Sequence, residues 1–455
     1  MPHETDGSRW IYFSYLILLV WVPIPLGSNR AWSWAVLELW IFLISLAWLV
    51  LAIRKKYAVG LVVRKAWPML LCLALWLAYV WLQLVPWPLA ILERISPEAA
   101  RLHSAAALQG TSTWAPLTLD RLSTLESALK STAYGVFFTV SLIMLCTRDR
   151  IRGATYAVIA SGIFQAVYGA VASFRSSEGF ATGTFVNRNH YASYLVLCLC
   201  VGIGVLIASL SGEKSHSWRQ FFRDLIEWII TPKMALRLLI VTMVIALVLT
   251  RSRMGNMSFF LGLLAAGIIG LALSKKATQS MVVLLVSLVV LDVFIVGAYF
   301  GSQRVVERIG QTTLETEDRH EVARYAFDMW RDYPVFGSGL GSFAAVFPRY
   351  SGSGTALSYT HAHNDYLEFG AEVGLVGIAI LAAMVALSFA AALRAQQARR
   401  DPVMRGISFA SIMGILCLMI HSSVEFNLQI PAIALTFMLL LAFAWISLHA
   451  EAVDA

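Results

Sequence analysis

Apolar residues run along this chain in twelve blocks, at about 10–27, 31–53, 67–88, 130–147, 153–174, 190–210, 236–250, 254–273, 280–301, 367–393, 403–421 and 431–449. A helix needs roughly 20 apolar residues to cross the hydrocarbon of a bilayer, so each block reads as a membrane span. The pattern predicts an all-α polytopic membrane protein with about 12 transmembrane helices. The first block lacks a basic leading segment and a clear small-residue cleavage site, so it is expected to be retained as a span. Two long polar stretches, at about 89–129 and 302–366, separate spans on one side of the membrane. On this basis the chain divides into 1–180, with spans one to five, 181–393, which includes the larger polar loop, and 394–455, with the last two spans.

The polar stretches carry patterns of their own. Residues 317–333 (EDRHEVARYAFDMWRDY) place Val322, Ala326, Met329 and Tyr333 at three- and four-residue spacing, which predicts a helix with one apolar stripe. Pro334 ends it, and Ser96-Pro97-Glu98 in the other long loop is a helix-start signal. Phe336-Gly337-Ser338-Gly339-Leu340-Gly341-Ser342 has no strand before it and no Lys after it, so its glycines are read as tight-turn residues and not as a phosphate loop. Residues 215–233 put Trp218, Phe221, Phe222, Leu225 and Ile226 on helical spacing, as expected of an interfacial helix lying against membrane lipids.

Composition agrees with the blocks. Of 455 residues, 58% are hydrophobic and 14% charged, with a mean hydropathy of +0.71. Soluble domains are about 45–50% apolar and about 25% charged. A soluble globule and a disordered chain are both excluded. The net charge of +8 is read as a topology signal and not as nucleic-acid binding. With a cytoplasmic N-terminus, 20 of the 35 basic residues fall on the cytoplasmic side. Of the 15 on the other side, 14 are Arg, with Lys130 the exception. Arg grips phosphate through a planar fork, whereas Lys is a point charge. The five cysteines (Cys72, Cys146, Cys198, Cys200 and Cys417) all lie in apolar runs and imply neither a disulfide framework nor a zinc site.

Four outer-side groups stand out: Asn29-Arg30, Asn187-Arg188-Asn189-His190, Arg251-Ser252-Arg253, and the large loop from Arg319 to Asp365, which ends in His361-Ala362-His363-Asn364. Such residue types suit displacement of a pyrophosphate from an anomeric carbon. Arginine forks stabilise the departing charge, and His is the side chain suited to taking the proton of a weak hydroxyl nucleophile. Base and leaving group on opposite faces of a sugar would invert it, as in inverting glycosidases, with an alcohol in place of water. A donor carried by a membrane lipid explains basic groups at the membrane boundary.

Plainer readings compete. Arg251 and Arg253 can snorkel to headgroups. His361 and His363 with Asp365 can chelate a metal, although an i, i+2 pair does not share one helix face. Glu315, Glu317 and Asp318 can be a solvated acidic run. Glu38 and Asp292 lie inside apolar blocks, where an acid is a functional hypothesis by default and would suit a proton-coupled transporter. A transporter would also show broken helices near the midplane.

Several of these segments occur in a familiar order. Thr182-Gly183-Thr184-Phe185-Val186-Asn187-Arg188-Asn189-His190 and Thr250-Arg251-Ser252-Arg253 come first. Arg319, Trp330 and Tyr333 through Phe343 follow, then His363-Asn364-Asp365-Tyr366-Leu367 and Glu372-Val373-Gly374-Leu375-Val376-Gly377. Over about 180–380 the chain resembles the O-antigen ligase and polymerase family of bacterial envelope proteins. The resemblance implies a metal-independent, inverting glycosyltransferase of the GT-C type in the bacterial inner membrane, with no cofactor and with its site facing the periplasm. The implied donor is glycan on undecaprenyl pyrophosphate, and the implied acceptor is lipid A-core, a growing glycan or a protein. The catalytic base carries over to His363 and pyrophosphate binding to Arg319 and Arg253. Arg188 and Arg251 join as further anion contacts, and His361, His190, Asn189, Asn364 and Arg30 as supporting residues. Relatives often have an aromatic residue four positions after the loop arginine, where this chain has Ala323.

Overall fold

The computed structural model describes residues 6–55, 60–106, 113–175, 179–210, 232–273, 320–351 and 359–450. In chain order its helices are α1 (Asp6–Trp21), α2 (Ala31–Lys55), α3 (Leu61–Lys65), α4 (Trp67–Leu84), α5 (Leu89–Ile95), α6 (Pro97–Ala106), α7 (Arg121–Met144), α8 (Arg148–Arg175), α9 (Arg188–Leu210), α10 (Pro232–Leu249), α11 (Arg253–Leu273), α12 (320–332), α13 (Phe343–Val346), α14 (Asp365–Ala398), α15 (Pro402–His421) and α16 (Pro431–His449). Eleven of the predicted spans fall on these helices. The block at 280–301, most of the interfacial helix at 215–233, Asp292, the acidic run at 315–318 and Arg319 lie outside the described residues. Among the described helices, nine are long and apolar enough to cross a membrane, and the chain is a multi-pass, all-α membrane protein. That set does not include α1, of 16 residues, or the apolar Met234–Leu249 of α10.

Helix ends depart from the hydropathy boundaries where polar chemistry overrides it. The third span stops at Leu84, because Pro86–Pro88 forms a short strand β1 paired antiparallel with β2 (Trp114–Pro116). The fourth begins at Arg121 and not near residue 130. Asp120 caps it, its carboxylate accepting from the Ser123 N–H at 3.2 Å and the Ser123 hydroxyl at 2.6 Å. Lys130 therefore lies on α7, its ammonium 4.3 Å from the Trp34 ring centre of α2 and close to Glu38. The proline start signal is borne out, since α6 begins at Pro97.

Burial separates an inner set of helices from an outer one. Of the apolar window of α16, 89% is buried, against 17% for α2. A helix that is hydrophobic all round belongs inside a bundle, and α16 packs among α7, α9, α14 and α15. Small residues allow the tightest crossings, because interhelical attraction in lipid rests on close packing. Gly204 of α9 and Gly406 of α15 meet backbone to backbone, and Cys417 fills the space beside Gly262 of α11. Cys198, Cys200 and Cys417 are buried free thiols, as core filling requires. At one end of the bundle basic residues are tied down: Arg148 pairs with Asp401, and Arg399 donates to the Ser447 and Ala450 carbonyls at 2.9 and 2.5 Å.

A small polar head covers the opposite end. The stripe of Val322, Ala326, Met329 and Tyr333 is buried to within 1% exposure, as predicted, and packs with Ala99, Phe343, Phe347 and Ala362. On its rim Arg101 grips Glu98 in a bidentate pair at 2.7 and 2.5 Å, which holds the Glu98 carboxyl below its usual range.

The glycine loop proves to be a plug in a broken helix. Gly374 (φ 58°, ψ −168°) interrupts α14. The carbonyls of Ala371 and Glu372 accept from the Ser338 and Gly339 N–H groups at 2.9 Å, and those of Pro334 and Val335 accept from the Leu375 and Val376 N–H groups at 2.9 and 3.1 Å. Tyr79 of α4 donates to the Phe336 and Val373 carbonyls, and Gln83 donates to that of Phe336 and, as a second contact, to that of Glu372. Backbone groups freed inside a membrane protein must find protein partners, and the loop supplies them. Gly337, Gly339 and Gly341 all have φ between 71° and 112°, so their assignment as turn glycines holds. A broken helix was an expectation attached to a transporter. Here the break is filled by backbone.

Candidate active site

The site is assembled at the headed end of the bundle, where α9 and α14 begin and α15 ends. The joint between α15 and α16 carries Glu425 and Phe426. A carboxylate that is 1% exposed must be paired. Glu425 accepts from the Asn189 amide at 2.5 Å, lies 3.3 Å from His363 Nδ1, and is 3.8 Å from His190 Nε2. A second buried carboxylate, Glu368 on the first turn of α14, is 2.7 Å from His361 Nδ1 and accepts from the Ala362 N–H at 2.8 Å.

Phe426 gathers the imidazoles. His361 stacks on its face at 4.0 Å, while His190 and His363 approach edge-on at 4.4 and 5.0 Å. The side chains of His361 and His363 are 30% and 25% exposed, but that of His190 is 6% exposed. Only the first two can meet a substrate in this arrangement; His190 Nε2 is buried beside Glu425 without hydrogen-bonding to it. His363 has φ 50°, a left-handed conformation that costs a residue with a Cβ about 1–2 kcal/mol. Its neighbours on both sides hold it there. Ala362 is pinned to Glu368, and Asn364 caps α14 by accepting from the Tyr366 and Leu367 N–H groups while donating to the Ser423 carbonyl at 2.8 Å. An imidazole with Nδ1 turned to a carboxylate presents Nε2 as proton acceptor.

Asp365 does not join a chelate with these histidines. Its carboxylate is 2% exposed and accepts from the Leu428 N–H at 3.2 Å. Among the described residues no group of three or more His, Cys, Asp or Glu is placed to hold a metal ion.

Three of the expected arginines lie on α9 or on segments beside it. Arg188 opens α9, one residue before Asn189, and its guanidinium lies 4.8 Å from the Phe180 ring centre. Arg251, with φ 54°, packs its guanidinium against Gly179, one residue before Phe180. Arg253 is the exposed first residue of α11, whose Gly255 abuts Ala192 of α9. Ser252 steadies this turn by accepting from the Gly255 N–H at 3.2 Å. The Arg30 turn is joined less directly. Gly27 sits against Phe185, and the Thr184 hydroxyl donates to the Pro23 carbonyl at 2.7 Å, while Arg30 itself is exposed.

Sequence reasoning missed Glu425, Glu368 and Phe426. A trace of Glu425 was present, since it is the one charged residue in the short joint at 422–430 between two apolar blocks. Nothing local marked it as the partner of residues 62 and 236 positions away. Beneath it, the Ser193 hydroxyl donates to Asn427 Oδ1 and lies 2.6 Å from His421 Nδ1, extending the polar network into the bundle.

A helical membrane bundle that keeps imidazole–carboxylate pairs and arginines together at one boundary belongs to the class of multi-pass proteins with a polar site at the membrane surface. Residues 238–382 match the family model described as O-Antigen ligase. The family carries glycosyltransferase-type activity on lipid-linked glycans in general. The matched range includes Arg251, Arg253, Arg319, His361, His363 and Asn364, whereas Arg188, Asn189, His190 and Glu425 lie beyond it. No curated protein matches the chain.

Proposed function

We propose that the protein transfers glycan from undecaprenyl pyrophosphate to an acceptor hydroxyl at the periplasmic face of the inner membrane, with inversion, and that it acts as an O-antigen ligase on lipid A-core. His363 Nε2 takes the proton of the acceptor hydroxyl as its oxygen bonds to the anomeric carbon. The bond from that carbon to the pyrophosphate oxygen breaks, and the electron pair leaves with the pyrophosphate. Arg188, Arg251, Arg253 and Arg319 stabilise the departing charge, where bidentate guanidinium contacts are worth most. One observation carries this reading. Asn189, the residue after Arg188, donates to the carboxylate that holds His363, so anion-gripping and proton-accepting groups meet across a single side chain.

A deletion strain tests the assignment. For a ligase, polymerised glycan accumulates on the lipid carrier and the core carries none. Single repeat units attached to the core would instead identify a polymerase and overturn the choice of acceptor. Unchanged surface and lipid-linked glycan would remove the reading altogether.

A further inference from the structure

Resting on that reading, we infer that Glu425 is a positioning residue for the reaction, fixing the tautomer and direction of the His363 ring, and that Asn189 tethers its carboxylate in the plane that faces that ring. The two oxygens of Glu425 have separate duties. Oε1 accepts the Asn189 amide at 2.5 Å, while Oε2 faces His363 Nδ1 at 3.3 Å and His190 Nε2 at 3.8 Å. Asn189 is itself fixed, its backbone N–H donating to the Asn187 side-chain oxygen at 2.8 Å on the first turn of α9. The carboxylate therefore cannot tilt out of this plane without losing its amide partner. It is 1% exposed, so water does not substitute for either contact. An acceptor oxygen facing Nδ1 requires the ring proton there and leaves the Nε2 lone pair for the acceptor hydroxyl. This is the role of the carboxylate in the Ser-His-Asp triad, where orientation and tautomer rather than proton uptake are what the acid supplies.

The same wiring says what a neutral isostere does. In Glu425→Gln, the Asn189 amide still needs an oxygen, so Gln turns its carbonyl there and its NH2 toward His363. The donor then faces Nδ1, the ring proton moves to Nε2, and the base is blocked. In the triad the equivalent exchange lowers kcat by about 10⁴-fold. Because the His363 contact is longer here, a loss on the order of 10³-fold is expected, with KM for a synthetic polyprenyl-pyrophosphate oligosaccharide unchanged within about threefold. Glu425→Asp keeps the acceptor and is expected to recover a tenth or more of the wild-type kcat.

The test uses the full-length protein in proteoliposomes and reads kcat, KM and the ¹⁵N histidine spectrum, with His363 assigned by its loss in His363→Ala. Support requires the kcat-only loss, the Asp rescue and a switch of His363 from the Nδ1–H to the Nε2–H form in Glu425→Gln. A Glu425→Gln enzyme within twofold of wild type, alongside an inactive His363→Ala, overturns this inference and leaves the proposed function standing. An active His363→Ala overturns the function and the inference with it. If Glu425→Gln is not recovered in the membrane, Asn189→Leu decides. It frees the carboxylate to tilt, and a drop of about tenfold in kcat supports the inference, whereas wild-type turnover sinks it.

Discussion

His363→Ala abolishes glycan transfer, by at least about 10³-fold in turnover, without lowering the amount of protein in the membrane. General-base catalysis contributes about 10²- to 10⁴-fold, which is the loss expected if the proposed base is removed. The fold survives because the imidazole is not a packing element. Its side chain is 25% exposed, and Glu425 keeps its Asn189 partner when the ring is removed. Transfer from a synthetic lipid-linked donor in purified proteoliposomes is the measurement, and turnover within tenfold of wild type would falsify the role of His363 as base.

Gly374→Ala destabilises the protein by several kcal/mol and inactivates what remains. The φ and ψ of Gly374 fall where only glycine is at ease, which costs other residues about 1–3 kcal/mol. A Cβ there would also overlap the Val335 carbonyl and stand 2.7 Å from the Gly337 nitrogen. These are backbone atoms held in the plug, so they cannot swing aside, and overpacking adds about 1–3 kcal/mol. The alternative is for α14 to straighten, which would eject the plug and move Glu368, Asn364 and His363 with the first turns of the helix. Thermal unfolding in detergent is expected to show a clear fall in Tm, with activity falling further than folded protein. An Ala variant with wild-type Tm would mean that the helix break is not held as described.

What could be read from the chain depended on whether the signal was local. Spans are local: a block such as 431–449 announces α16 by itself, and the boundary residues Asn189, Arg253 and His363 were visible as polar groups at the edges of such blocks. The α12 stripe was equally readable, because Val322, Ala326, Met329 and Tyr333 lie within three turns. The break at Gly374 was hidden, since apolar residues continue on both sides and glycine is common in membrane helices. Its compensation comes from a loop more than thirty residues upstream and from Tyr79 and Gln83 on α4. The start of α7 was displaced because a polar cap at Asp120 can open a helix well before its apolar face begins. Glu425 and Glu368 escaped notice because a carboxylate in a joint has no meaning until the fold delivers its imidazole.

The broken helix also sets a height. From Leu375 to Leu393 the apolar part of α14 rises about 28 Å at 1.5 Å per residue, close to the roughly 30 Å of bilayer hydrocarbon. Residues 365–373 precede that stretch on the other side of the break, so His363 and Asn364 stand beyond the apolar part of the helix. The imidazole–carboxylate cluster is thus carried on a short arm past the apolar stretch, and the break at Gly374 separates the part of the helix that suits lipid from the part that carries polar groups.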